Sequence, residues 1–118
     1  MRTSTLAVLL LTTLGFGSAY ADDMVEFHIK PNTGSLSFNS PDDPVRVVVG
    51  QTLRVINDDA TAHLIHTNGS PCSHGDKTMK TGDYWDCKIQ YAHRADEEDI
   101  YDHNLGPDTQ FYIEATEN

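Results

Sequence analysis

The run Val47-Val48-Val49-Gly50-Gln51-Thr52-Leu53-Arg54-Val55-Ile56-Asn57-Asp58-Asp59 decides the fold class. Val45, Val47 and Val49 recur at every second position, Gly50-Gln51 interrupts, and Leu53 and Val55 take up the alternation again. A period of two places alternate side chains on one face, as in a half-buried strand. Asn57-Asp58-Asp59 then supplies turn residues. The reading is strand, turn, strand, turn.

The same pattern extends outward in both directions. Val25, Phe27 and Ile29 alternate with Glu26 and His28, and Leu36 and Phe38 flank Ser37. Leu64-Ile65 sits between two histidines, and Phe111 and Ile113 alternate near the end. Turn residues separate these runs at Pro31-Asn32-Thr33-Gly34, Ser40-Pro41-Asp42-Asp43-Pro44, Asn68-Gly69-Ser70-Pro71 and Leu105-Gly106-Pro107-Asp108. Only Lys88–Asp99 is a candidate for a turn of helix. Short strands with frequent turns predict an all-β sandwich or barrel. Such a fold gathers loops at its two ends, where rigid strands can hold ligands from different loops together.

The chain has 118 residues, enough for one domain. Eighteen acidic against eight basic residues give a formal charge of −10. That excludes a nucleic-acid binder with a basic phosphate-reading surface and argues against docking on anionic lipid. Two cysteines are too few for a disulfide-dense miniprotein or a four-cysteine zinc site. Six histidines are the unusual feature. Histidine is the commonest metal ligand.

Residues 1–21 read as a secretory signal peptide: Arg2, an apolar run from Leu6 to about Phe16, and Ala19-Tyr20-Ala21 before the cleavage point. The apolar run is too short for a membrane anchor, since a span must cross about 30 Å of hydrocarbon. The mature domain is then 22–118, one charge more negative and with all six histidines. The expected compartment is outside the cytosol, periplasmic if the source is bacterial. It is usually oxidising, so Cys72 and Cys87 are free to pair. Closing that loop would contribute about 3 kcal/mol. Asn68-Gly69-Ser70 is a glycosylation sequon, and more simply a turn.

The histidines divide by context. His28 is expected to face solvent on its strand, and His93 to lie at the surface in the polar Tyr91–Asp99 segment. His63 and His66 follow a turn. Residues three apart on a regular strand face opposite sides, so they could share an ion only if the backbone bends. His74 follows Cys72 by two residues, and a Cys72–Cys87 bond would hold it in place. His103 lies in Tyr101-Asp102-His103-Asn104 before the last strand. Neutral imidazole suits copper, zinc, nickel and iron alike.

Val47–Asp59 followed by His63 resembles the cupredoxin family, whose members carry a Gly-x-Thr strand ending in Asn with a copper-binding histidine a few residues later. Thr81-Gly82-Asp83-Tyr84 resembles a later Pro-Gly-containing element. His103, before Phe111-Tyr112-Ile113-Glu114, matches the second copper histidine. The resemblance spans Val45 to Ala115. It implies a Greek-key β-sandwich with copper at one end, used for electron transfer or copper handling.

The departures from the family matter as much. A blue-copper site uses two histidines, a cysteine thiolate and usually a weak axial methionine. The three residues before His103, Ile100-Tyr101-Asp102, include no thiol, and no methionine follows it. The simplest account is a Cys72–Cys87 disulfide and no copper thiolate. The implied site is then histidine-rich: His63 and His103, with His66 or His74, and Asp102 as a further candidate. A rival arrangement makes Cys72 a thiolate ligand beside His74, and another loses copper altogether.

No Gly-x-Ser-x-Gly, phosphate loop, EF-hand loop or His-Glu-x-x-His occurs. Asp96-Glu97-Glu98-Asp99 reads as a solvated loop or as docking for a basic redox or copper-donor or copper-acceptor protein. The expected function is secreted copper binding for carriage, buffering or electron transfer, without catalysis. The alternative is a metal-free interaction domain that meets a protein partner through its acidic surface.

Overall fold

The computed structural model describes residues 23–118, so the signal-peptide assignment lies outside the described residues. Eight strands follow one another: β1 Met24–Ile29, β2 Val45–Val48, β3 Thr52–Asn57, β4 Ile65–His66, β5 Tyr84–Lys88, β6 Tyr101–Asp102, β7 Gly106–Gln110 and β8 Ile113–Thr116. No helix is present among the described residues, so the Lys88–Asp99 candidate forms the end of β5 and an irregular connection with a turn at Ala95-Asp96 instead.

The deciding run folds as the alternation requires. β2 and β3 are joined by a turn at Val49-Gly50, where Gly50 has φ +103°, a conformation open to glycine but costly for residues with a Cβ. The Gln51 amide donates to the Val48 carbonyl, and the Gln51 side chain accepts from the Val48 amide. β3 pairs in parallel with β1 and antiparallel with β5. β2 pairs in parallel with β8, while β4, β6 and β7 form an antiparallel sheet. β3 buries Leu53, Val55 and Asn57 and leaves the residues between them half-buried.

Ile29, Leu53, Val55, Ile65, Ile100, Phe111 and Ile113 are fully or almost fully buried and form the centre of the core. Phe27 and Phe38 pack on Phe111 with ring centroids 4.9 and 5.5 Å apart. Burying each such side chain contributes roughly 1.5–3 kcal/mol. A Cys72–Cys87 disulfide ties the loop after β4 to β5. Neither cysteine is therefore a thiolate.

Two stretches differ from the sequence reading. Leu36–Phe38 is no strand: the Leu36 amide closes a turn on Thr33 and its side chain is 68% exposed. Conversely, Gly106-Pro107-Asp108 opens β7 instead of a turn. β7 pairs only with β6 and so stands at a sheet edge, where proline's missing N–H costs no ladder bond.

Candidate metal centre

The chain from His63 to Thr67 alternates strictly, with His63, Ile65 and Thr67 buried and Leu64 and His66 between them turned outward. His63 and His66 therefore face opposite sides, as a straight strand demands. Their surroundings have nothing in common.

On the outward side, three loops converge. His66 lies on β4, opposite Tyr101 of β6, and its ring stacks on that tyrosine at 4.3 Å. His103 follows β6 directly, and its amide donates to the Leu64 carbonyl at 2.6 Å. His74 arrives from the disulfide-tied loop. The next residue, Gly75, donates its amide to the Ile65 carbonyl at 2.8 Å. A Cβ on Gly75 would stand 2.7 Å from that same oxygen, so only glycine allows the loop to lie this close to β4.

Each of His66, His74 and His103 offers one ring nitrogen, and the three nitrogens lie within 4.8 Å of one another. His74 Nε2 is 3.2 Å from His103 Nδ1. His74 Nδ1 lies 2.7 Å from the Gly75 carbonyl, which can only accept, so Nδ1 carries the proton and Nε2 keeps its lone pair for the cluster. His66 Nε2 lies 3.2 Å from Asn68 Oδ1 in the same way, freeing its other nitrogen. A backbone or side-chain oxygen that sets the tautomer is the usual outer support of a metal-bound histidine.

On the inward side, His63 is fully buried. Its Nδ1 is 2.6 Å from Asp102 Oδ2 and its Nε2 is 2.9 Å from Asp59 Oδ2. Burial works to lower the imidazole pKa, but the hydrogen bonds to Asp102 and Asp59 outweigh it and raise the value above 6.5. Asp59 is lowered: burial opposes this, and hydrogen bonds from His63 and from the Gly34 and Ala60 amides overcome it. Both partners of His63 are carboxylates, which accept, so both ring nitrogens donate and the ring is a cation. It has no lone pair for a metal. The loop that brings Asp59 here is shaped by Asn57, fully buried, whose Nδ2 donates to the Thr61 and Met79 carbonyls and whose Oδ1 accepts from the Asp59 amide.

The structure thus brings together His66, His74 and His103 and leaves His63 out. A blue-copper donor set does not fit these residues. Both cysteines are in the disulfide, and His63 is held between two carboxylates. An all-imidazole set fits. Asp102, a candidate ligand by sequence, holds His63 instead, and its Oδ1 accepts from the Asn104 and Leu105 amides. Asp59 was legible only as a turn residue, although its spacing four before His63 is visible in the chain. His28 faces solvent beside Asp58, as expected. His93 does not lie at the surface: it is 6% exposed and bonded to the Ile113 carbonyl and Asp99.

No family model matches the chain, and no curated protein matches it by sequence. Solved structures do match. An oxidized proline-to-glycine mutant of amicyanin superposes with a TM-score of 0.58 at 18% identity, covering 80% of this chain and 84% of that one. A reduced Cu(I) form of another amicyanin mutant gives 0.56 at 16% identity, covering 80% and 83%. A purple cupredoxin from Nitrosopumilus maritimus gives 0.54 at 14% identity, covering 77% and 98%. With its all-β architecture and its Cys72–Cys87 disulfide, this chain has the cupredoxin-like fold, in a divergent form.

Proposed function

We propose that this protein binds copper through His66, His74 and His103, and that it carries or buffers the ion outside the cytosol. The observation behind this reading is the convergence of three exposed or half-buried imidazoles, two of them with oxygen partners that select the metal-ready tautomer. Among divalent first-row ions, a nitrogen site favours copper. The amicyanin neighbour recorded in a Cu(I) form supports the same ion.

The donor set argues for carriage or buffering ahead of electron transfer. Without a thiolate, copper here would give a pale type 2 centre with positions open to water or to an exchanging ligand. The rings stand at the surface, where a donor or acceptor protein can reach them. A basic partner would complement the formal charge of −10. The role is binding, not catalysis. The disulfide fits an oxidising compartment and so supports secretion, periplasmic in a bacterium.

Adding Cu(II) to the purified mature protein tests the reading. One equivalent with a type 2 electron paramagnetic resonance signal is expected. The signal should vanish in His74→Ala with His103→Ala. Absence of stoichiometric binding would instead favour the metal-free interaction domain.

A further inference from the structure

The connection between β5 and β6 holds a second group of metal-ligating side chains. His93, Glu97 and Asp99 each offer one ligand atom, all within 4.8 Å of one another. The backbone of His93 bridges Ala115 of β8 in both directions, and the Ala95 amide donates to Glu114 Oε1, so this loop lies against β8. The His93 side chain is only 2% exposed.

Its tautomer is decided by the backbone. Nδ1 is 2.9 Å from the Ile113 carbonyl, which only accepts, so Nδ1 keeps its proton. Nε2 points at carboxylates, with Asp99 Oδ1 at 2.8 Å and Glu97 Oε1 at 3.8 Å. In the neutral ring the Nε2 lone pair therefore faces carboxylate oxygens. A cation must sit between them, either a proton on Nε2 or a metal ion. His63 differs here, because both of its nitrogens face carboxylates deep in the core. At His93 the carboxylates are 30% and 40% exposed, so an ion can enter from solvent. Arg94 approaches Glu97 at 3.8 Å, but it is 72% exposed and can swing away.

We infer that His93, Glu97 and Asp99 form a second divalent-cation site, separate from the three-histidine cluster and suited to zinc. One imidazole nitrogen and two carboxylate oxygens leave a fourth position for water, a donor set zinc accepts in tetrahedral geometry. The Ile113 carbonyl orients the ring as an outer partner does at metal-bound histidines. Zinc would replace the Nε2 proton and pin the β5–β6 connection to β8, just before the strand that leads into His103.

Zinc also suits exposed imidazoles, so the test uses the His74→Ala, His103→Ala protein. Zn²⁺ is added while histidine nitrogen resonances are followed by long-range proton–nitrogen correlation. One equivalent should still bind, move the His93 Nε2 resonance and leave Nδ1–H in place. Adding Glu97→Gln and Asp99→Asn should weaken that binding at least tenfold. A His93 spectrum unmoved by millimolar zinc, or equal affinity without the two carboxylates, would overturn the site.

Discussion

His63 and His66 stand three residues apart on one short stretch, yet one is a buried cation between two aspartates and the other a half-buried ring in a cluster of three. The difference shows that a histidine's chemistry is set by what faces its two nitrogens. Carboxylates on both sides force protonation and turn His63 into a structural pin between the β3–β4 loop and β6. An oxygen partner on one side leaves a lone pair on the other, which is free to meet a metal ion.

The largest expected effect breaks the inner member of this contrast. His63→Ala leaves Asp59 and Asp102 buried without their shared partner. Removing one side of a buried ion pair costs about 3–5 kcal/mol, which urea denaturation would read. A loss below about 1 kcal/mol would show that the aspartates find other partners. Copper affinity of whatever protein remains folded should be unchanged, since the proposed ligands are His66, His74 and His103.

Next comes the disulfide, which serves both regions. Replacing Cys72 and Cys87 by serine should cost about 3 kcal/mol, given the separation of 15 residues. It should also weaken copper binding, because His74 lies two residues beyond the bond. Titration of the unfolded wild-type chain with a thiol reagent should find no free thiol.

A smaller change removes an outer ring. His74→Ala should lower copper affinity by about tenfold or more while shifting stability by less than about 0.5 kcal/mol. Isothermal titration calorimetry and urea melts on the same sample would separate the two. Equal loss of both would mean that His74 holds the loop rather than the ion.

The two regions should also respond to pH with opposite sign. The folded pKa of His63 is raised above 6.5, so its stabilisation is complete below about pH 6.5 and is lost as pH rises through the raised value. Asp59 is lowered from 3.8, so its share is present above about pH 4 and is lost as pH falls through the lowered value. Imidazoles bind metal only as the free base, so copper binding should weaken below about pH 6. Stability and copper affinity measured across pH 4–9 should therefore diverge. Parallel curves would mean that one ionisation governs both.

Much of the architecture was legible because strand periodicity is local. Ile29, Val47, Leu53 and Val55 are buried where the alternation put them. The Asn57 turn and the Cys72–Cys87 pair were likewise readable. Leu36–Phe38 misled because three alternating residues are too short for a ladder: only the Phe38 amide donates to the backbone of β7, at the Gln110 carbonyl, and the Leu36 amide closes a turn on Thr33. Gly106-Pro107 misled because an edge position tolerates proline, and edges are assigned only once the sheet is assembled. The site was half legible. The same period-two rule that found the strands already forbade His63 and His66 from sharing an ion on a straight strand. The resemblance nonetheless implies His63, together with His103, as a ligand.

By itself the sequence determined the all-β class, the acidic surface and that His63 and His66 take opposite sides of a straight strand, because all of these follow from composition or near neighbours. Only the tertiary structure decided their charge states and company. One carboxylate that holds His63 lies 39 residues away, and the His103 nitrogen 3.2 Å from His74 Nε2 belongs to a residue 29 away. Protonation depends on which acceptors sit within hydrogen-bond reach, and that is a property of chain packing that no local pattern encodes.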